Sequence, residues 1–342
     1  MTRRLAEVAA RAGVSEATVS RVLNRKPGVA EATRSRVLTA LDVLGYERPT
    51  KLRGERARLV GLVLPELQNP IFPAFAEALG ANLAQHGLTP VLCTQTAGGV
   101  QEPEYVDLLL EQQVAGVIFA GGNYSQGDAD HRHYDRLMHR QLPVVLINAA
   151  IDRLPFPRVV CDDASAMEQS MEHLLALGHE RIGLVLGPRD HVPSERKLAA
   201  ARQVAEAAGH PLDEELVVRS LYSLQSGQAS AARLIERGAT GIICASDPLA
   251  LGAVRAVRRA RLATPEDVSV IGYDDSAFMA VADPPLTTVR QPIEAMARAA
   301  VDFLMSQIEA SMGPVDELLF EPELVVRRST GPAKLPAADA KS

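Results

Sequence analysis

The segment from Leu5 to Asn24, LAEVAARAGVSEATVSRVLN, constrains this chain more than any other, because its residues are phased for two short helices around a sharp turn. Leu5, Val8, Ala9 and Ala12 recur at helical spacing, and Gly13 then supplies the residue type that turns without steric cost. Ser15 stands at an N-cap, its hydroxyl placed to accept the N–H of Ala17 or Thr18, so a second helix is expected from Glu16. In that helix Val19, Val22 and Leu23 face inward, which leaves Glu16, Ala17, Ser20, Arg21 and Asn24 outward. This is how the second helix of a helix-turn-helix presents its first residues to base edges in the major groove of DNA. A third amphipathic helix carries Val37, Leu38, Leu41 and Leu44 and is expected to stop at Gly45.

Three small helices are also compatible with a helical cap on an enzyme, and charge separates the two readings. Residues 1–58 hold 13 Lys or Arg against 6 Asp or Glu, whereas the rest of the chain holds 23 against 36. A head of net +7 on a body of net −13 is the footprint of nucleic-acid binding, hidden by the overall charge of −6.

The remaining chain belongs to the α/β class. Of 342 residues, 47% are hydrophobic, enough for more than one core. Apolar, β-rich runs recur at 59–64, 90–95, 116–121, 143–148, 181–187, 241–246 and 268–273, separated by helical segments, several of which end at Gly87, Gly178, Gly209 and Gly238. Continuous rather than alternating apolar runs indicate strands covered on both faces. The expected architecture is an all-α helix-turn-helix head joined to a two-lobed, doubly wound parallel-sheet body of periplasmic-binding-protein-like type.

Cys93, Cys161 and Cys244 are isolated in or beside apolar strands and read as small buried hydrophobes, not as disulfides or metal ligands. MTRRLAEV has no apolar signal core, and no apolar run reaches the roughly 18 residues that span a bilayer, so a cytoplasmic protein without a membrane partner is expected. No dinucleotide fingerprint, Walker loop or nucleophile elbow is present, so neither an enzyme nor a cofactor is expected. His131, His133 and His139 lie among Asp128, Asp130 and Asp135 without metal-ligand spacing and read as a solvated helix face. The pairs Asp162–Asp163 and Asp274–Asp275 are candidates for acid–base work, but Asp163 reads as the cap of a helix starting near Ser165, and Asp247 as the cap of PLALGAVRAV.

In open parallel sheets a ligand lies outside the carboxyl ends of the strands. Those ends are polar here, with Gln68 and Asn69 after the first strand, Asn148 after Ile147, Ser246 after Cys244, and Asp274 after Tyr273. Amides, a hydroxyl and a carboxylate suit sugar hydroxyls, and Phe72 and Tyr222 suit the apolar faces of a sugar ring.

The order V-A-x-x-A-G-V-S-x-x-T-V-S-R-V-L-N from Val8 to Asn24 resembles the DNA-binding head of the LacI/GalR family of transcription regulators. The resemblance continues through HLLALGHERIGLVLGP, ASDPLALGAVRA, VSVIGYDDS and PPLTTVRQP, and covers all but the last dozen residues. It implies a homodimer on a palindromic double-stranded operator, with Ser15, Glu16, Ala17, Thr18, Ser20, Arg21 and Asn24 facing DNA, and a body that binds a small effector and thereby switches operator affinity. It also implies a head at 1–47, a linker at 48–58, a body at 59–330 and a tail at 331–342. The chain then crosses between lobes near 157, 287 and 315, so that lobe one holds about 59–156 and 287–314 and lobe two about 157–286 and 315–330. Asp274, Ser246 and Asn148 fall on effector-contacting positions of the family.

Two departures qualify that expectation. The family's Arg in the helix after the GP strand end falls on Lys197, beside Arg196, and Lys offers no bidentate fork, which favours a neutral sugar over a carboxylate. The linker places Glu55 where relatives carry a Leu that enters the minor groove, and Pro49 and Gly54 disfavour a continuous helix, leaving Leu52 as the candidate wedge. YERPTKLR together with PELQNPIFPAF resembles the actinobacterial branch that regulates maltose or maltodextrin use, which implies a sugar-released repressor. The alternatives are a corepressor-type regulator answering to a protein or phosphorylated partner, and a sugar-active enzyme.

Overall fold

A computed structural model describes residues 2–23, 28–44, 58–95, 98–309 and 317–334. The expectations for Asn24, Gly45, Leu52 and most of the linker lie outside these residues. By internal packing the chain divides into Met1–Arg58 and Leu59–Ser342.

The first unit contains α1 (Thr2–Ala12), α2 (Glu16–Leu23) and α3 (Glu31–Val43). Gly13 joins α1 to α2 at φ +64°, a conformation that costs a residue with a Cβ. Val8, Ala9, Ala12, Val19, Val22, Val37 and Ala40 form its core, with Leu5, Val14, Leu23, Val29, Leu38 and Leu44 packed around them.

The second unit holds two six-stranded sheets of equivalent strand order. The first contains β1 (Arg58–Leu64), β2 (Leu88–Thr94), β3 (Gly116–Ala120), β4 (Val144–Ile147), β5 (Arg158–Cys161) and β11 (Glu317–Phe320), in the order β2-β1-β3-β4-β5-β11. The second contains β6 (Ile182–Leu186), β7 (Val217–Arg219), β8 (Gly241–Cys244), β9 (Ser269–Asp274), β10 (Thr287–Arg290) and β12 (Glu323–Val325), in the order β7-β6-β8-β9-β10-β12. Within the second sheet, β12 runs antiparallel to β10. Burial is complete along β3, β4, β6, β8 and β9, as continuous apolar runs require.

Helices cover both faces of each sheet. They are α4 (Ile71–Gln85), α5 (Glu102–Glu111), α6 (Arg132–His139) and α11 (Ile293–Ile308) in lobe one, and α7 (Asp163–Ala176), α8 (Val192–Ala207), α9 (Leu224–Glu236) and α10 (Asp247–Arg259) in lobe two. The four expected glycine stops all have positive φ, between 66° and 84°. No described helix is long and apolar enough to cross a membrane.

The crossing points differ from those expected. β5 and β11 belong to the first sheet and β10 to the second, so the chain changes lobe just after Cys161, Arg290 and Phe320 rather than near 157, 287 and 315. These strands, with β7 and β12, are only three or four residues long, and Thr287 and Thr288 interrupt the apolar signature of β10. Pairing with a neighbour, parallel for β5, β7, β10 and β11 and antiparallel for β12, makes them strands rather than local pattern.

In lobe two, α9 and α10 meet backbone to backbone through Gly227 and Gly252. A Cβ on Gly252 would stand 2.3 Å from the carbonyl oxygen of Leu224, and one on Gly227 2.3 Å from that of Leu249. The obstructing atoms are backbone and cannot swing aside. Gly252→Ala is therefore expected to destabilise the body by about 1–3 kcal/mol through overpacking, read as a lower urea midpoint with an unchanged slope; a wild-type midpoint would show that the two helices separate without cost.

Candidate functional site

In the first unit, the Ser15 hydroxyl accepts the N–H of Thr18 at 3.2 Å and lies 2.9 Å from the Thr18 hydroxyl, which caps α2. Ser15, Glu16, Ala17 and Arg21 are exposed, Thr18 and Ser20 are half-buried, and Val19 and Val22 are sealed in the core. The described outward residues thus lie on one face and include the cation Arg21.

In the second unit, the carboxyl ends of both sheets open onto one cavity of about 400 Å³. Lobe one contributes Glu66 and Asn69 from the β1–α4 connection, Phe72 and Phe75 from α4, Gly121, Gly122, Ser125 and Gln126 from the loop after β3, and Asn148 after β4. Lobe two contributes His191 and Lys197 after β6, Tyr222 after β7, Ser246 after β8, and Tyr273 with Asp274 at the end of β9. The crossings add Asp163 and Gln291. Asn69, Phe72, Asn148, Lys197, Tyr222, Ser246 and Asp274 line this cavity, whereas Gln68, which the sequence placed beside Asn69, is exposed and outside the lining.

Two of them hold unusual backbone. Asn148 has φ +79° and Asp274 φ +117°, conformations that cost non-glycine residues about 1–3 kcal/mol each and that the surrounding structure must enforce. Asp274 is buried, and its carboxylate accepts from Asn69 Nδ2 at 3.2 Å and Gln291 Nε2 at 2.8 Å, joining lobe one, lobe two and a crossing. Burial, and then the nearby charge of Asp247, hold this carboxyl well above the usual carboxylate range.

The two acid pairs divide by role. Asp275 is bound by Arg290 and Arg327, both at 2.7 Å, so it does not share a site with Asp274. The cap of α7 is Asp162, whose Oδ1 accepts from the N–H groups of Ala164 and Ser165 at 3.0 and 3.1 Å, while Asp163 is the first residue of the helix. Asp163 instead faces the cavity and pairs with Lys197, whose Nζ also stands 4.0 Å over the Tyr273 ring. Burial raises the Asp163 carboxyl despite that partner. Similarly, Ser246 caps α10 through the N–H of Leu249, and Asp247 lies behind the cavity wall. It accepts from Ser276 N–H at 2.7 Å, Ser276 Oγ at 2.5 Å and Thr288 Oγ1 at 2.6 Å, with burial pushing it up to about 6.

Sequence patterning overlooked His191, Gln291, Phe75, Tyr273, Glu66 and Gln126. His191 lies 3.0 Å from Ser194 Oγ and 3.3 Å from Tyr222 OH through Nδ1, and burial, with the cations Lys197 and Arg219 nearby, lowers it to about 4. A signal was available at Gln291, which precedes Pro292 at a crossing. The expectation of a solvated histidine face is corrected: His131 and His133 are buried, the latter against Glu102, and only His139 is exposed. Among the described residues no group of three His, Cys, Asp or Glu is placed to hold a metal. The three cysteines are buried and unpaired, and burial raises the thiols of Cys93 and Cys161 to about 11.

Residues 4–49 match the family described as bacterial regulatory proteins, lacI family, and residues 171–330 match the periplasmic binding protein-like domain. The chain is 52% identical over 338 residues to the HTH-type transcriptional regulator reg1 of Streptomyces lividans and 51% identical over 337 residues to the HTH-type transcriptional regulator MalR of Streptomyces coelicolor, each time covering 97% of this chain and 98% of the relative. Its fold is similar to that of the transcriptional regulator CelR in complex with cellobiose, with TM-score 0.73 and 31% identity over 95% of this chain and 99% of that one. It is also similar to the lac repressor dimer bound to operator and the anti-inducer ONPF, with TM-score 0.71 and 28% identity over 95% of this chain and 98% of that one.

The Asp163–Lys197 pair sets an energetic test. Lys197→Met leaves a buried carboxylate without its cation and is expected to lower body stability by about 3 kcal/mol, within the range for breaking a buried pair. Adding Asp163→Asn should restore most of the loss, as read by urea unfolding at pH 7. Since the Asp163 carboxyl is raised, acidification neutralises it and should also shrink the single-variant deficit; a deficit that persists at low pH and in the double variant would mean that Lys197 acts through packing alone.

Proposed function

Because the chain belongs to the LacI family of bacterial regulatory proteins, we propose that it acts in the cytoplasm as a homodimeric repressor, holding a palindromic operator through its heads and releasing it when an uncharged sugar fills the cavity between its lobes. The observation that carries this reading is the buried Asp274 carboxylate, gripped by Asn69 of the opposite lobe and Gln291 of a crossing. A ligand that competes for those hydrogen bonds acts on the lobe arrangement itself. An effector shifts an equilibrium only by its differential affinity for the two arrangements, and a group shared between lobes supplies that difference.

The wall chemistry supports the ligand class. Phe72, Phe75, Tyr222 and Tyr273 offer apolar faces, while Asn69, Asn148, Ser246 and Asp274 offer hydrogen-bonding groups. The Lys197 ammonium is already matched by Asp163 and is not free to pair a phosphate or carboxylate, which favours an uncharged ligand. A maltose-type sugar is the specific proposal, resting on the resemblance to the maltose-regulating branch.

On the DNA side, Arg21 is assigned to a guanine in each half-site, since Arg to guanine is the commonest bidentate base contact, with Glu16 and Ala17 tuning the neighbouring bases. Arg21→Ala is expected to cost about 1–3 kcal/mol per half-site and to relax selectivity at that base, measured by titrating operator variants at fixed salt. Equal loss on operator and random DNA would make Arg21 a phosphate contact instead.

On the effector side, Asp274→Ala is expected to weaken maltose binding by about 1–3 kcal/mol and, since it removes the bonds to Asn69 and Gln291, to shrink the sugar-dependent change in operator affinity, measured by calorimetry and by operator titration with and without maltose. Loss of thermal stability and operator binding together, with unchanged sugar affinity in the folded protein, would reduce Asp274 to a brace for the loop after β9.

A further inference from the structure

Behind the lobe-one wall of the cavity lies a polar cluster for which neither the sequence nor the effector contacts provide a use. Its centre is Glu102, the first residue of α5, with no exposed surface. Four donors converge on its carboxylate. They are Gln95 Nε2 at 3.2 Å, the backbone N–H of Asn123 at 3.1 Å, His133 Nε2 at 2.6 Å, and the Tyr134 hydroxyl. Taking a carboxylate out of water is expensive, and an apolar residue of similar volume would serve stability at least as well. The group must therefore be explained by what it holds.

What it holds is the loop that follows β3. Gly122 lies so close that a Cβ there would stand 2.2 Å from the Glu102 Oε2. Tyr134 also accepts the N–H of Tyr124 at 2.8 Å, and the Tyr124 hydroxyl accepts the N–H of Gly121 at 2.6 Å while donating to the carbonyl of Ile147, next to Asn148. On its other side the loop presents Gly121, Gly122, Ser125 and Gln126 to the cavity. Its far end then crosses to lobe two. Gly127 N–H donates to the Asp190 carbonyl at 2.8 Å, Gln126 Nε2 donates to the Arg189 carbonyl at 2.5 Å, and Gln126 pairs with His191 as an isolated antiparallel bridge.

The geometry points to Glu102 as a positioning residue for effector binding, whose carboxylate holds loop 121–127 in the shape that both walls the cavity and reaches the second lobe. It does not touch the ligand space; it acts through Asn123, Gly122 and Tyr134. The role rests on the proposal above that this cavity takes the effector, and the test separates the two.

In full-length Glu102→Gln the volume is kept, but an NH2 group replaces an acceptor among four donors. Hydrogen–deuterium exchange is expected to show the amides of residues 121–127 exchanging about tenfold faster, with α5 and the first sheet unchanged, and calorimetry with maltose to show about tenfold weaker binding at unaltered operator affinity, since an unsatisfied buried donor is costly and 1.4 kcal/mol is tenfold. Tyr134→Phe, a milder change to the same cluster, should show the same local pattern to a smaller degree and covers the case in which Glu102→Gln fails to fold. Wild-type exchange in the loop, or faster exchange throughout lobe one, overturns the proposal. If the wild-type protein gives no heat with maltose, the sugar assignment fails and the exchange comparison alone decides the role of Glu102.

Discussion

Each time this chain passes between the lobes of its body, it does so beyond the carboxyl end of a strand, and the site depends on that constraint. Parallel strands with right-handed crossovers place all those ends on one edge of each sheet. Since β5, β10 and β11 feed the crossings, the two edges face each other, and the loops after β1, β3, β4, β6, β7, β8 and β9 enclose a single cavity. The crossings are tied side by side. Ser165 Oγ donates to Glu321, Gln169 Nε2 donates to the Pro322 carbonyl, and Leu324 N–H donates to Gln169 Oε1. One core lies wholly in lobe two, whereas the cluster under α4 and α11 of lobe one also takes in Ala166, Tyr273 and Val289 from lobe two, so a change in the mutual angle of the lobes works against this apolar contact as well as the three crossing segments.

The cost of the site is concentrated in its charges. Asp163, Asp247 and Asp274 are all buried, all raised by burial, and only Asp163 has a cation in contact. Burying carboxylates in this way does little for stability. Asp247 and Asp274 differ in their use of hydrogen bonds. The three donors to Asp247 all come from lobe two, from Ser276 and Thr288, so it braces one lobe, whereas the partners of Asp274 come from lobe one and a crossing. Other contacts also span the lobes, notably the two-pronged Arg196–Glu317 pair at 3.0 and 3.1 Å and the Gln126–Arg189 bond. An effector that alters the Asp274 partnership therefore works against a small set of defined contacts, which is what a two-state response requires.

Much of this was legible from residue order. The start of α2 at Glu16, the Ser15 cap, the turn at Gly13 and the seven strands marked by continuous apolar runs follow from signals that act within a few residues of themselves. The polar residues at strand ends were legible for the same reason, because a strand that stops in Asn or Asp announces where its open edge lies. The short strands β5, β7, β10, β11 and β12 were not. At most three consecutive apolar residues mark each of them, too little pattern to read, and their pairing depends on a neighbour distant in sequence. The cap assignments to Asp163 and Asp247 failed in an instructive way, since in each case the residue before it made the cap and released the carboxylate for a buried partner.

The sequence by itself determined the class of the chain: a basic helical head, a twice-repeated parallel α/β body, and the residues at the mouths of its strands. Periodicity, capping and charge are local properties and act before any long-range contact exists. Only the tertiary structure decided who meets whom. Asn69 reaches Asp274 across 205 residues, and Lys197 finds Asp163 rather than open cavity. Glu102 becomes the hub of the cavity loop because α6 delivers His133 and Tyr134 to it from about thirty positions away. Desolvation and hydrogen bonding depend on what the completed fold brings together, so the same carboxylate is a cap, a brace or a link between lobes according to partners that no neighbouring residue specifies.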